Sequence, residues 1–460
     1  MTENLLLMTD SYKPTHAHQY PPDMTHVHSF FSSRGGSSPA LVSGIGVQYL
    51  TRRYLAPGFT REDVSEAADV LFQHFGQNLF NEAGMLRTLE AHGGAIPVEI
   101  KAVPEGTVVP PHHAVMTIEN TDDLLPFWTN YIETLMVQTW YPSSVATRSR
   151  EMRARILSSL EKTGTPALID YKLHDFGVRG ASSPESAAIG GFAHLANFKG
   201  TDNLPAIMLA RKYYGCQMAG HSVPASEHST MTSWGREHEV DAYRNMLTLY
   251  PKGIVSVVSD SYDIFNACEQ IWGRILKPNV LARDGVLVVR PDSGDPISVL
   301  SHVLRILADK FGFERNDKGY KVLHPSVRVI QGDGIDSNSL DAILSYFENN
   351  GWSADNITFG SGGGLLQKGL TRDTHRFAFK ASAVKRDGVW LDVMKSPITD
   401  PTKRSKPGRL ALIRTADGSF ETVPLESVSA DRNLLKTVFK NGAVLNIQSL
   451  DDIRARVVAP

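Results

Sequence analysis

Between about residues 166 and 376 one pattern recurs: a short apolar run, a polar loop, then an amphipathic stretch. Ala167 to Leu173 leads into H-D-F-G-V-R-G, and Ser183-Pro184 opens a helical stretch through Leu195. Ile254 to Val258 leads into S-D-S-Y-D, followed by a helix carrying Ile264, Ala267, Cys268 and Ile271. Val286 to Val289 leads into R-P-D-S-G-D-P, and the next helix presents Val299, Val303, Ile306 and Leu307. Val327 to Ile330 precedes Q-G-D-G-I-D and a helix marked by Leu340, Ile343, Leu344 and Phe347; Ile357 to Phe359 precedes G-S-G-G-G. The helices have the i, i+3, i+4, i+7 spacing of one buried face. The strands are continuous apolar runs, as expected when both faces are covered. Such alternation predicts a parallel α/β sheet, and five consecutive units favour a barrel-like core.

The flanks read differently. Val98 to Val103 alternates as a half-exposed strand does, and residues 377–460 hold short strands and turns such as Ala416-Asp417-Gly418. The expected organisation is therefore a catalytic α/β domain over 166–376, with 1–165 and 377–460 forming a second, mixed α+β domain.

Composition narrows the class. Of 460 residues, 42% are apolar and 21% charged, as in an ordinary globular protein. Lys plus Arg (47) against Asp plus Glu (49) gives a net charge of −2, so no bulk charge points to nucleic acid or a membrane surface. The only two cysteines, Cys216 and Cys268, form no C-x-x-C pair, which argues against a disulfide framework or structural zinc. The N-terminal run Leu5 to Met8 is too short for a signal peptide, and no run approaches the ~18 apolar residues of a membrane span. A cytoplasmic protein is expected.

The unusual polar residues fall just after the strands, where α/β folds build their sites. G-S-G-G-G (360–364) lets backbone N–H groups converge on a phosphate, with the following helix adding its dipole; a tight turn explains it too. It does not meet the dinucleotide fingerprint, because Leu365 occupies the third glycine position. Asp260, Asp292 and Asp333 each follow a strand and could hold ribose hydroxyls, a hydrated Mg²⁺ or a cationic centre. Helix capping is the alternative, and it is the reading of Asp295 before Pro296. Arg372, Lys380, Lys395, Lys403, Arg404 and Lys406 crowd into 372–406, fit either for a pyrophosphate or for a solvated surface. Phe176 reads more readily as core than as a stacking platform, and His228 is one of 16 histidines.

Taken together, the segments are far more specific. D-S-Y-K-x-T-H-x-x-Q-Y-P-P (10–22), Y-K-L-H-D-F-G-x-R-G (171–180), N-F-K-G-T-D (197–202) and S-V-P-A-x-E-H-S-T (222–230) occur in order. S-V-V-S-D-S-Y-D (256–263), R-P-D-S-G (290–294), R-V-I-Q-G-D-G (328–334) and F-G-S-G-G-G-L-L-Q-K (359–368) follow. This series closely resembles the nicotinamide phosphoribosyltransferase family, from about residue 5 to the C-terminus. The resemblance implies the type II phosphoribosyltransferase fold and a homodimer with active sites at the subunit interface. The implied reaction forms nicotinamide mononucleotide and pyrophosphate from nicotinamide and phosphoribosyl pyrophosphate, in NAD salvage.

Residue by residue, the resemblance makes Phe176 one wall of the nicotinamide slot and Tyr12 of the partner subunit the other. Asp202 would accept a hydrogen bond from the carboxamide, with Arg179, Ser256, Arg290 and Arg328 lining the substrate pocket. Asp292 and Asp333 would face the ribose, and Gly332, Gly362 and Gly363 the 5′-phosphate. Arg34, Arg372, Lys380, Lys395 and Lys403 would hold phosphate and pyrophosphate. His228 resembles a histidine that relatives phosphorylate with ATP, and Mg²⁺ would arrive with phosphoribosyl pyrophosphate. Two departures stand out: Gly369 is an extra residue before Leu370-Thr371-Arg372, and Ser226 replaces an alanine. The alternatives are a nicotinate phosphoribosyltransferase, a silent mononucleotide-binding module and a nicotinamide-cofactor dehydrogenase.

Overall fold

The computed structural model describes residues 3–36, 38–399 and 404–458. The chain divides into two compact units. One comprises Met1–Thr147, Lys212–Cys216 and Gly369–Pro460; the other comprises Arg148–Arg211 and Gln217–Lys368. The sequence pattern placed the boundaries at 165/166 and 376/377. The first division instead falls inside one continuous helix, Trp140–Thr163, where no loop or composition change marks it.

The unit built around 148–368 is a curled, wholly parallel sheet. Its strands run in the order Gly200–Thr201, Leu173–Asp175, Ile357–Ser361, Val327–Gln331, Asp284–Arg290 and Lys252–Val258. The extended segment between His221 and Ser226 pairs with both edges: His221 bridges Gly200, and Ala225 bridges Ser256. The Thr201 N–H donates to His221 (3.0 Å) and the Ser226 N–H to Ser256 (3.0 Å), so the sheet curls into a barrel-like ring. Ser226, the departure from alanine, is buried, and its hydroxyl accepts the Val258 N–H at 2.9 Å. It adds a hydrogen bond to that closure.

Local chemistry sets the helices. Asp295 caps Pro296–Phe311 by accepting the Ser298 N–H, and Leu300, Val303, Leu304, Leu307 and Phe311 bury one face. Asp336 and Ser339 form a capping box on Ser337–Asn349, which buries Leu340, Ile343, Leu344 and Phe347. Two expectations change. The stretch expected as a strand over 167–173 is mostly a 3₁₀ helix, Pro166–Tyr171, and the strand starts at Leu173. Pro166 supplies no N–H for a ladder. Arg153 and Lys199, each 2.9 Å from the Asp170 carboxylate, hold the turn. The helix after Asp263 is α only over Ile264–Asn266 and continues as a π-helix, Ala267–Ile275, still burying Cys268 and Ile271.

In the other unit, strands from both flanks interleave in one seven-stranded sheet. The order is Val389–Asp392, Ala378–Arg386, Met24–Ser32, Met116–Asn120, Val98–Ala102, Lys436–Lys440 and Ala443–Val444, antiparallel throughout. Val98–Ala102 alternates buried and half-buried positions, as its sequence predicts. Both cysteines are free, and no described helix is long and apolar enough to cross a membrane.

Candidate active site at the barrel rim

Because all six strands are parallel, the residues that follow their C-terminal ends collect at one rim. Phe176 follows Asp175, Asp202 follows Thr201, Asp260 follows Val258-Ser259, Asp292 follows Arg290, Gly332 follows Gln331 and Gly362 follows Ser361. Phe176 is fastened there by its N–H, which donates to the Ser361 carbonyl at 3.0 Å. Its ring lies on Gly360 so closely that a Cβ there would fall 2.0 Å from it. A Cβ at Gly332 would meet the Phe176 ring (3.4 Å), Asp292 Oδ1 (3.4 Å) and Arg290 Nε (3.5 Å) together. The Arg290 guanidinium stands 5.7 Å from the Phe176 ring centre, within cation–π reach. Thus Phe176, Arg290, Asp292 and Gly332 form one constellation, and Phe176 is a rim residue rather than part of the core.

Charge in this constellation is tightly paired. Arg290 grips Asp292 with two bonds, Nε to Oδ1 at 3.0 Å and Nη2 to Oδ2 at 2.8 Å. That fork fixes both side chains and leaves further guanidinium N–H donors for a ligand. Asp260, its side chain 3% exposed, is a hub: Oδ1 pairs with His228 Nε2 at 3.0 Å, while Oδ2 accepts the Asp292 N–H (3.1 Å) and the Ser293 hydroxyl (2.6 Å). The half-exposed His228 is thereby coupled to the loop carrying Asp292. A carboxylate at Nε2 can only accept, which places a ring proton on that nitrogen and turns Nδ1 away from Asp260.

Asp202 is exposed at the rim and accepts a hydrogen bond from the Ser222 hydroxyl. Burial lowers the His174 pKa, opposed by the Asp202 charge. Ser256 is buried in the strand that Ala225 bridges. Asp333 is exposed beyond Gly332, and its carbonyl accepts from Gln331 Nε2 at 2.9 Å. Arg179 is exposed in the Val178–Gly180 turn, which abuts the glycine loop: a Cβ on Gly180 would lie 2.9 Å from the Gly363 nitrogen. The helix after the glycine loop is only Gly363–Leu366. A single turn has little macrodipole, so the helix dipole expected from the sequence adds little here and the loop offers chiefly its backbone N–H groups.

Arg328 does not join this rim. Its guanidinium donates to the carbonyls of Leu323 (3.1 Å), His324 (2.9 Å) and Val327 (2.7 Å), at the start of its strand. Strand residues two apart share a face, but they sit at different heights along it. Arg328 therefore faces the opposite end from Gly332.

The remaining predicted residues lie in the other unit. Tyr12 is 55% exposed and directly precedes the 3₁₀ helix Lys13–His18, its ring 5.0 Å from His16. With His16, Tyr20, Glu133 and Lys380 it borders an open cleft of about 470 Å³. Burial lowers the Lys380 pKa; the Glu133 carboxylate opposes that, and the charges of Arg34, Lys395 and Arg372 add to it, so these four cations and one acid share one neighbourhood. The Arg34 Nε is buried without a hydrogen-bond partner among the described residues. Lys395 is exposed, its backbone paired with Ser405. Lys403 lies outside the described residues. Among the described residues, no three His, Cys, Asp or Glu side chains form a group that could hold a metal ion.

Sequence reasoning singled out neither Asp175 nor Ser222, although both stand inside the quoted segments. A polar residue closing an apolar strand was the available signal for Asp175.

The chain as a whole resembles known proteins. The nicotinate phosphoribosyltransferase (NAPRTase) family profile matches residues 171–443, and the profile of the nicotinamide phosphoribosyltransferase N-terminal domain matches residues 4–100. The nicotinamide phosphoribosyltransferase of Xanthomonas campestris pv. campestris is 48% identical, over 99% of this chain and 98% of that protein. The enzyme of the same name from Acinetobacter baylyi is 33% identical, over 99% and 97%. Among solved structures, nicotinate-nucleotide pyrophosphorylase from Pyrococcus furiosus aligns with TM-score 0.64 at 16% identity, covering 100% of this chain and 96% of that one. Human nicotinic acid phosphoribosyltransferase aligns with TM-score 0.63 at 19% identity, covering 98% and 93%. At such identities the two structures establish a shared fold.

Proposed function

The chain belongs to the nicotinamide phosphoribosyltransferase family, and on that premise we propose that it joins nicotinamide to C1′ of Mg²⁺-bound phosphoribosyl pyrophosphate. The observation that carries the reading is the meeting of an aromatic face, a forked Arg–Asp pair and a side-chain-free glycine at one rim, with Asp202 at the same end. The pyridine nitrogen attacks C1′ with its lone pair. The C1′–O bond to pyrophosphate breaks, its electrons leave with the pyrophosphate, and no proton moves. Catalysis is then a matter of alignment and charge. Phe176 stacks on the flat ring, and Asp292 and Asp333 hold the ribose and offset positive charge developing at C1′. The backbone around Gly332, Gly362 and Gly363 holds the 5′-phosphate.

Asp202 favours the amide over the acid. It can accept from a carboxamide NH₂, whereas a carboxylate at about 4 Å would be repelled by on the order of 4 kcal/mol at an effective dielectric near 20. A second copy of the chain completes each site in this proposal, bringing Tyr12 against the open face of the pyridine and Arg34, Arg372, Lys380 and Lys395 to the leaving group. His228 receives the γ-phosphoryl group of ATP on Nδ1, releasing ADP, while Asp260 holds Nε2. The added charge acts on the Asp292–Ser293 loop through Asp260.

Purified protein supplied with Mg²⁺, phosphoribosyl pyrophosphate and either pyridine, with and without ATP, tests this. The expected result is nicotinamide mononucleotide and pyrophosphate in equal amounts, from nicotinamide far better than from nicotinate. Preference for nicotinate overturns the substrate, no product from either pyridine overturns the activity, and a monomer in solution overturns the shared site.

A further inference from the structure

We propose that Asp175 is a positioning residue for the pyridine slot: one buried carboxylate that holds the Phe176 wall and the Asp202 wall in register. The inference rests on the slot assigned above. Asp175 ends its strand and is 0% exposed. Its Oδ1 accepts the N–H of Gly177, the residue after Phe176, at 2.7 Å. Its Oδ2 accepts from the side-chain amide of Asn203, the residue after Asp202, at 2.8 Å. Its own carbonyl accepts the Asp202 N–H at 3.0 Å. Asn203 is itself immobile: buried, it also donates to the Ala187 carbonyl (2.8 Å) and the Thr201 hydroxyl (3.0 Å), and accepts the Ala206 N–H (3.0 Å). A rigid strand end thus reaches both loops with one functional group.

Two features set Asp175 apart from a structural hydrogen-bonding residue. Burial raises its carboxyl to about 6; the bonds from Asn203 and Gly177 oppose that rise, and the nearby Asp202 charge adds to it. A buried carboxylate next to another acid is an expensive choice for the fold alone. The second is the donor count. Both arms arrive as N–H donors, and only a carboxylate offers an acceptor oxygen to each. The isosteric asparagine must turn its NH₂ toward one of them, so one wall is released while the packing volume is unchanged. Neither arm bonds to Arg290, Asp292 or Gly332, so the phosphoribosyl side feels the change only through the Phe176 ring and responds less than the pyridine slot.

The test is the split between the two substrates in the full-length enzyme. For Asp175→Asn we expect KM for nicotinamide to rise about tenfold or more and the preference over nicotinate to fall by a similar factor, with KM for phosphoribosyl pyrophosphate changed less than about twofold. Asn203→Ala, which breaks the side-chain link from Asp175 to the Asp202 loop together with Asn203's bonds to Ala187 and Ala206 and leaves the Gly177 arm intact, reproduces the loss of preference, and the double variant falls short of the product of the two effects. Should Asp175→Asn fail to fold, the Asn203→Ala result decides alone. Parallel changes in both KM values, or unchanged preference in the variants that fold, overturn the proposal. Wild-type turnover measured alongside reports separately on the assigned reaction: a wild type inactive with both pyridines refutes that reading.

Discussion

The ring of Phe176 rests directly on the backbone of Gly360, where a Cβ would penetrate to 2.0 Å from it. Gly360 is the penultimate residue of the Ile357–Ser361 strand and its φ is not positive, so a glycine is needed here for space rather than for conformation. Gly360→Ala therefore displaces the aromatic wall. The expected outcome is a stability loss of roughly 1–3 kcal/mol and a nicotinamide KM raised about tenfold or more. Adding Phe176→Ala relieves the clash, so the double variant regains stability but not affinity. Thermal unfolding together with initial rates reads both; an affinity unchanged in Gly360→Ala refutes the stacking role.

Asp202→Asn removes the charge that repels a carboxylate while leaving an acceptor for the amide. The ratio of kcat/KM for nicotinamide over nicotinate should fall by on the order of a hundredfold or more, since each ~1.4 kcal/mol is tenfold. A variant with full discrimination rules out Asp202 as the selector.

His228 is expected to be the point at which ATP acts. In His228→Ala the ratio of rates measured with and without ATP collapses to one, and no acid-labile phosphoprotein forms from γ-labelled ATP. Asp260→Asn weakens the same response, because its amide can satisfy His228 or the Asp292 N–H and Ser293 hydroxyl, but not all three. An ATP response that survives His228→Ala moves the coupling elsewhere.

Lys380 sits half-buried near Arg34, Arg372 and Lys395, with its pKa lowered by burial and by their charges and held up in part by Glu133. An anion relieves that crowding. Lys380→Gln should raise KM for phosphoribosyl pyrophosphate roughly ten- to a hundredfold and leave KM for nicotinamide within about twofold. Equal effects on both substrates contradict a role confined to the leaving group.

Stability has a pH dependence traceable to Glu105. This carboxyl is buried and accepts the N–H groups of Gly46 (3.1 Å) and Gln48 (2.6 Å) and the Tyr214 hydroxyl (3.0 Å). Burial raises it from 4.5 to about 7, against the pull of those bonds. The folded state thus binds the proton more tightly than the unfolded chain. The stabilising contribution is whole below about 4.5 and is lost as pH rises through about 7. Between pH 4.5 and 8 the wild type should lose roughly 3 kcal/mol relative to Glu105→Gln, as followed by denaturant unfolding. A difference that does not vary with pH shows that Glu105 does not titrate in this range.

The amino-acid sequence by itself determined the parallel α/β core, because two-sided burial writes continuous apolar strands and one-sided burial writes helical stripes. It also determined the positions of the rim residues, since a strand-end location follows from chain order once the strands are known. The helix cap at Asp295 was legible for the same local reason. Tertiary structure alone decided which strand-end residues touch. That Asp260 gathers His228, Asp292 and Ser293, and that Phe176 lies on Gly360, depend on which strands lie side by side and in what register, and neither leaves a periodic mark. The same holds for Arg328: its side chain turns to carbonyls at the entry of its strand, a choice between two ends of one barrel that residue type cannot express. Asp175 was hidden for a related reason, since its two donors come from loops brought together only when the strands align. Local patterns encode what each segment must bury; partners across segments are fixed by long-range packing, and only coordinates carry that.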